Sequence, residues 1–348
     1  MDSVDRFTIT GKEVGGFMRQ LILIMVIVAF GTIETRAQVN DWSPARTADG
    51  KVDLAGVWAN NAATPLERPD SLGEKAAFTE EEISQLTIAA QRLFGGGDDA
   101  AFGDGVFNAV LADVERNVSR DGGTGNYSSV WMVDREFEAR TSLVTDPPDG
   151  KLPPLTAEAE ERIAAATVYR REHPADGPED LSRQVRCITY GIPRVGGLGA
   201  GYNSYYQIFQ TPEYVVMLGE MIHDARIIPI IEMPHAHRSI RQWHGDSRGW
   251  WEGDTLTVET TNYSAKANYR GSGDDLHLVE RFTMAGPRTL HYEITVTDPT
   301  TWTRPWTAMV PLSRSGDALF EYACHEGNIG MAGILSGERV QEERNSSQ

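Results

Sequence analysis

From Arg186 to Cys324 the chain is a succession of short runs rich in Val, Ile, Thr, Tyr and Trp, each cut off by turn-forming residues. The runs are Tyr205–Gln210, Tyr214–Glu220, Arg226–Ile231, Ser239–His244, Trp250–Glu252, Thr255–Thr261, Leu276–Met284, Thr289–Thr297, Trp306–Leu312 and Leu319–Cys324. Between them stand Thr-Pro-Glu, Gly-Asp-Ser-Arg-Gly, Glu-Gly-Asp, Gly-Ser-Gly-Asp-Asp and Ala-Gly-Pro-Arg, which reverse the chain. Strands at such regular, short spacing pair with their neighbours, which predicts an antiparallel meander, closed or nearly closed.

The N-terminal half is mixed. Asp53-Leu-Ala-Gly-Val-Trp58 reads as a first strand, and its Gly56-x-Trp58 pattern is one that lipocalins place on their first barrel strand. The expected fold is therefore mainly β, an antiparallel lipocalin-like β-barrel with helical insertions in the N-terminal half. Phe78–Phe94 predicts a helix: Thr79 and Glu82 form a capping box, and Ile83, Leu86, Ala90, Leu93 and Phe94 share one face. A second helix starts at Thr156 and stops near Arg171, before His173-Pro174. Asn126–Met132 and Thr141–Val144 read as short strands. The Gly/Asp-rich stretch 95–105 has no EF-hand spacing and reads as a solvated loop. Residues 38–340 are expected to form a single domain, followed by a polar tail over 341–348.

Ahead of that domain, Met18-Arg19, the apolar run Leu21–Phe30 and the small and polar residues through Ala37 have the order of a secretory signal peptide. The apolar run is too short for a bilayer core of roughly 30 Å, so no stable membrane span is expected after processing. Met1–Phe17 does not resemble a signal n-region, and Met18 offers an alternative start. The expected location is periplasmic or secreted, in a bacterium. A formal net charge of −18 argues against nucleic acid as a partner, because a phosphate backbone demands clustered Lys and Arg. Cys187 and Cys324 fit export as a disulfide and fit the core equally as buried thiols.

Several motifs resemble catalytic signatures and fail on context. Gly245-Asp-Ser247-Arg-Gly249 matches a nucleophile elbow, but a strand rather than a helix follows, so a hairpin turn is expected. His235-Ala-His237 has metal-ligand spacing, yet it follows Pro234 and lacks a nearby carboxylate downstream; a loop is expected. Cys324-His325 has only one of the two cysteines that covalent haem attachment requires. The glycines of 196–201 lack the flanking strand and helix of a dinucleotide site. No motif calls for a cofactor.

The strongest constellation is charged. Continuous alternation over Met217–Ile228 puts Glu220, Asp224 and Arg226 on one face and Met221 and His223 on the other. Other runs likewise set ionisable groups beside aromatics: Arg241 with Trp243, Glu280 with Arg281, His291 with Glu293, Trp302 with Arg304 and Trp306, Glu321 with His325. In a barrel with a polar interior these groups converge, and burial with mutual pairing shifts their pKa values. An outward-facing row of ion pairs is the structural alternative.

Asp53–Trp58, Gly191–Arg194, Glu220–Pro229, Arg241–Gly249, Trp251–Leu256, Asp298–Trp306 and Glu321–Asn328 together resemble a large family of exported bacterial proteins, over roughly Asp53 to Glu338. The resemblance implies export and carries no catalytic role to any residue. The residues themselves point to a barrel enzyme, a lyase, isomerase or hydrolase, doing general acid–base chemistry on a small or medium hydrophobic molecule. Its expected catalytic groups are His223, Asp224, Arg226, Glu280, Tyr322, His325 and Glu326. Glu220, Arg241, Trp243, Trp251, Trp302, Arg304 and Trp306 are expected to bind substrate. One alternative is a non-catalytic binder of a lipophilic ligand in the same cavity. Another is a metal-dependent enzyme built on His223, His235, His237 or His325.

Overall fold

In a computed structural model, which describes residues 42–94, 136–191, 204–267 and 269–347, the period-two alternation read from the sequence becomes one antiparallel sheet. The expected signal region, strand Asn126–Met132 and the glycine-rich loops at 95–105 and 196–201 lie outside the described residues. The described residues from Pro44 onward form one compact unit. Its strands are β1 (Gly56–Ala59), β2 (Val144–Asp146), β3 (Tyr205–Gln210), β4 (Tyr214–Gly219), β5 (Ala225–Pro229), β6 (Asp246–Glu252), β7 (Thr255–Thr261), β8 (His277–Gly286), β9 (Thr289–Thr297) and β10 (Trp306–Ser315). The helices are α1 (Glu80–Phe94), α2 (Ala157–Glu172) and α3 (Ile329–Ser346). None of them is long and apolar enough to cross a membrane.

The strand order is β5-β4-β3-β1-β10-β9-β8-β7-β6, with β2 paired to β10 off this path. Alternation dictates which side chains meet: on β9 Leu290, Tyr292, Ile294 and Val296 are buried and the residues between them are less so. Across the β8–β9 ladder Phe282 stands opposite Tyr292, and their rings stack at 4.6 Å. Trp58 of β1 is fully buried, gives its indole N–H to the Leu54 carbonyl at 2.9 Å, and is covered by the Arg314 guanidinium 4.7 Å from the ring.

Backbone pairing does not close the sheet into a barrel. Every neighbouring pair in the path is antiparallel, so a path of nine strands leaves its ends, β5 and β6, running the same way. Closure would need a parallel ladder there, and the path stops short of one. Side chains bridge the gap: Arg226 Nε donates to Ser247 Oγ at 3.1 Å. Gly249 lets the strands approach, since a Cβ there would lie 2.6 Å from Ile230 and 3.0 Å from Ile228.

Five sequence expectations need correction. The strand expected over Thr141–Val144 begins only at its last residue, as β2. Ser239–His244 is not a strand; it makes turns and one isolated bridge, Gln242 to Tyr263. The reason is topological: residues 230–245 carry the chain between two strands that run the same way, and such a crossover cannot be a tight hairpin. Gly245–Gly249 is not the hairpin turn; Asp246–Gly249 form the first half of β6, paired with β7, and the turn is made at Gly253-Asp254. Leu319–Cys324 forms no strand, because it packs beside loops, tied by a Cys187–Cys324 disulfide across 137 residues. The polar tail is helical: α3 runs through Ser346, with the Asn328 side chain accepting the Met331 N–H.

The two expected helices are present. In α1 Glu82 accepts the Thr79 N–H at 2.9 Å and Thr79 Oγ1 accepts the Glu82 N–H at 3.3 Å, completing the capping box. In α2 Thr156 Oγ1 accepts the Ala159 N–H at 3.1 Å, and the helix ends before Pro174.

Candidate functional site

The alternation expected through Met217–Ile228 is broken between β4 and β5. Ile222 and His223 adopt left-handed φ values of 69° and 52°, making a turn that resets the face on which later residues point. His223 is consequently exposed, and its Nδ1 accepts the Tyr322 N–H at 3.2 Å. Glu220 is buried just beyond β4, where its N–H binds the Tyr205 carbonyl. Asp224 and Arg226, on the far side of the turn, both line a cavity beneath the sheet's open seam.

Arg226, on β5, is held by side chains of three other strands. Nη1 and Nη2 donate to Glu280 Oε1 and Oε2 at 3.0 and 2.5 Å, Nη2 donates to Thr260 Oγ1 at 2.6 Å, and Nε to Ser247. Tyr292 O–H donates to Glu280 Oε1 at 2.5 Å. Burial lowers the Arg226 pKa, but the Glu280 carboxylate outweighs it and keeps the guanidinium charged far into the alkaline range. Burial and the same carboxylate raise Tyr292 well above a normal phenol, so it stays a neutral donor.

The cavity, of about 60 Å³, compares with roughly 10–15 Å³ for a single water, so it admits a small molecule or a few waters. Ile208, Met217, Phe282 and Leu312 make its lining mostly apolar, with Tyr190, Tyr206 and Tyr292 adding phenols. Asp224, Arg226 and His244 also border an open cleft with Gln242 and Trp243. These three thus stand where cleft and cavity meet.

His244 is fixed by Thr189. The Thr189 hydroxyl donates a short hydrogen bond to Asp224 Oδ2, accepts the Gly191 N–H at 2.7 Å, and lies 2.6 Å from His244 Nε2. A hydroxyl has one proton and two lone pairs. With the proton given to Asp224 and one lone pair to Gly191, the remaining lone pair must accept from His244, so Nε2 carries hydrogen. His244 Nε2 also sits 3.2 Å from Asp224 Oδ2. The neutral ring is therefore basic at Nδ1, which makes no hydrogen bond among the described residues. Burial pushes the Asp224 carboxyl up, but His244, Thr189 and the Tyr190 N–H together outweigh it and hold it below the usual carboxylate range.

The other expected site residues are dispersed. Tyr322 is half-buried next to His223, and His325 and Glu326 are exposed; none of these lines the cavity. Trp302 and Trp306 are core residues packed edge to face at 5.7 Å, and Trp251 packs partly buried against the same core. Arg304 pairs with Asp146 at 2.7 Å on the surface. Arg241 borders the cleft and gives Nη1 to the Asp274 carbonyl at 2.5 Å. His235 lies between Asp246 (2.9 Å) and Glu259 (3.3 Å), while His237 bonds Ser239 at 2.8 Å. Among the described residues no three His, Cys, Asp or Glu side chains are grouped so as to hold a metal ion.

Sequence reasoning missed His244 and Thr189. His244 ends a run expected to be a strand carrying Arg241 and Trp243 on one face, which set it on the opposite one. Thr189 has no local signal, because its partners come from elements 35 and 55 residues away.

Fold and site together define an antiparallel β-sheet protein with a small, largely apolar cavity flanked by a His–Asp pair. No protein family, curated protein or solved structure matches the chain.

Proposed function

We propose that the protein is an exported enzyme of general acid–base type, an isomerase or lyase acting on a small hydrophobic molecule that carries a carbonyl. The observation that carries this reading is the saturated Thr189 hydroxyl, which leaves Nδ1 of His244 as a free base at the cavity rim. His244 Nδ1 takes a proton from the carbon next to the carbonyl, and ionised Asp224 stabilises the imidazolium so formed. Arg226 Nη1 gives only one of its two N–H groups to Glu280, and the other supports the charge that develops on the substrate oxygen. The apolar lining suits a hydrophobic substrate. The antiparallel path, the side-chain bridge between its end strands and the buried Trp58 favour a lipocalin-like barrel closed by side chains. The disulfide, together with the N-terminal apolar run, favours an oxidising compartment outside the cytoplasm.

Proton abstraction can be measured without knowing the product. A panel of small hydrophobic ketones and enones incubated with the protein in D₂O should exchange hydrogen at the carbon beside the carbonyl, read by NMR. His244→Ala should slow that exchange by roughly 10²–10⁴ with the fold intact by circular dichroism. Unchanged exchange in this variant would remove His244 as the base. The mostly apolar lining also supports a second reading, a carrier of a lipophilic ligand; saturable binding of panel members with no exchange of any of them selects it.

A further inference from the structure

Thr189 does not belong to the sheet. Its loop, Ser182–Gly191, makes local backbone bonds such as Cys187 N–H to the Gln184 carbonyl at 3.0 Å and Ile188 N–H to the Arg183 carbonyl. The loop is held from outside partly by Asp224, which accepts the Tyr190 N–H at 3.1 Å, and partly by the segment that follows β10. Cys324 is bonded to Cys187, two residues before Thr189, and the Asn328 side-chain amide donates to the Val185 carbonyl at 2.8 Å. That same segment reaches the other half of the site, since Tyr322 N–H binds His223, the residue before Asp224. Arg183 also donates to the Ala267 carbonyl.

We propose that the Cys187–Cys324 disulfide is a redox-sensitive latch on the His244 site, which is assembled in the oxidised protein and dismantled on reduction. The inference rests on the reading of His244 as the base. With the bond closed, Thr189 is held where its hydroxyl meets both Asp224 and His244, and Nδ1 is the basic nitrogen. A small dithiol opens it: one thiolate attacks the sulfur of Cys324, the more exposed partner, and displaces the Cys187 thiolate. The second thiol of the reagent then resolves the mixed disulfide, leaving two cysteine thiols and the oxidised, cyclic dithiol, a two-electron exchange. The loop then loses its covalent tie, and Thr189 no longer fixes the imidazole together with Asp224. The enzyme would thus stay idle in a reducing cytoplasm and switch on after export.

The test compares oxidised protein, protein reduced with dithiothreitol (opening confirmed by thiol titration) and the double variant Cys187→Ser/Cys324→Ser. The His244 tautomer is read by nitrogen-15 NMR, ketone exchange as above, and the sheet by far-ultraviolet circular dichroism. Reduction should leave the sheet signal in place, convert His244 from the Nε2–H form to a mixture of tautomers, and lower exchange at least tenfold. Reoxidation should restore the parent and not the double variant. Thr189→Val, with the disulfide intact, should give the same tautomer mixture. An unchanged tautomer after confirmed reduction overturns the latch, and so does loss of the sheet signal, which would make the bond a general staple. His244→Ala retaining exchange would instead sink the base assignment, while the tautomer measurement still judges the latch.

Discussion

Arg226 donates N–H groups to Ser247 on β6, Thr260 on β7 and Glu280 on β8, so a single side chain ties β5 to the three strands across the seam. Both charges of the Arg226–Glu280 pair are buried, at 6% and 0% exposure. Desolvation opposes such a pair, and its geometry offsets that cost only while both partners are present. Glu280→Leu, which leaves a buried guanidinium without its partner, should lower the unfolding free energy by about 3–5 kcal/mol in urea titrations. The double variant Arg226→Met/Glu280→Leu should recover most of that loss. A double variant no better than the single one would mean that the pair itself, rather than an orphaned charge, carries the stability. At the rim, the same accounting of protons and lone pairs around Thr189 selects Nδ1 of His244, and no property of the imidazole alone could do so.

Among the elements, the crossover 230–245 decides where His244 stands. It ends at Gly245, whose φ of +67° turns the chain into β6, and a Cβ there would come 2.5 Å from the Thr261 carbonyl oxygen and 2.7 Å from Thr260. Gly245→Ala should therefore be destabilising by more than the ~1 kcal/mol typical of point changes, and it should reduce ketone exchange by displacing His244. The crossover is also clamped midway, where Asp246 accepts the Ala236 N–H at 2.8 Å and faces His235. At the seam itself, Gly249→Val would thrust a branched side chain onto Ile228 and Ile230. It should push β5 from β6 and lower the melting temperature, with a smaller loss for Gly249→Ala.

For the molecule as a whole, acid sensitivity follows from three carboxylates outside the Arg226 network. Asp224 is held down chiefly by His244 against the upward push of burial, and Asp246 by the Ala236 N–H, His235 and Arg248 against the same push. In Glu259 the hydrogen bond from His277 is the largest cause of its lowered pKa. Each folded-state pKa lies below its unfolded value, so the stabilisation is present above roughly pH 4 and is lost as pH falls through the folded values. The melting temperature should hold from neutrality to near pH 5 and then decline. Asp246→Asn should soften that decline and lower the plateau; an unchanged acid limb would assign the sensitivity to other groups.

Much of the sheet was legible because period-two alternation is local. Tyr205–Gln210, Thr255–Thr261 and Thr289–Thr297 were bounded to the residue, and the caps at Thr79 and Thr156 announced their helices. The sequence also marked Asp224, Arg226 and Glu280 as charges out of place in strand-like surroundings. It could not show that Ile222 and His223 turn left-handed and so send His223 to solvent, since that conformation answers to packing between β4 and β5. Nor could it choose between a disulfide and two thiols, or separate the core tryptophans 302 and 306 from cavity walls. Above all, the cluster of Thr189, Asp224 and His244 is assembled by three segments far apart in the chain. The sequence by itself determined most of the strands and two of the helices, because these depend on near neighbours. Only the tertiary structure decided which histidine stands with Asp224 and Thr189 beside the cavity, because that depends on which groups distant segments bring within hydrogen-bond reach.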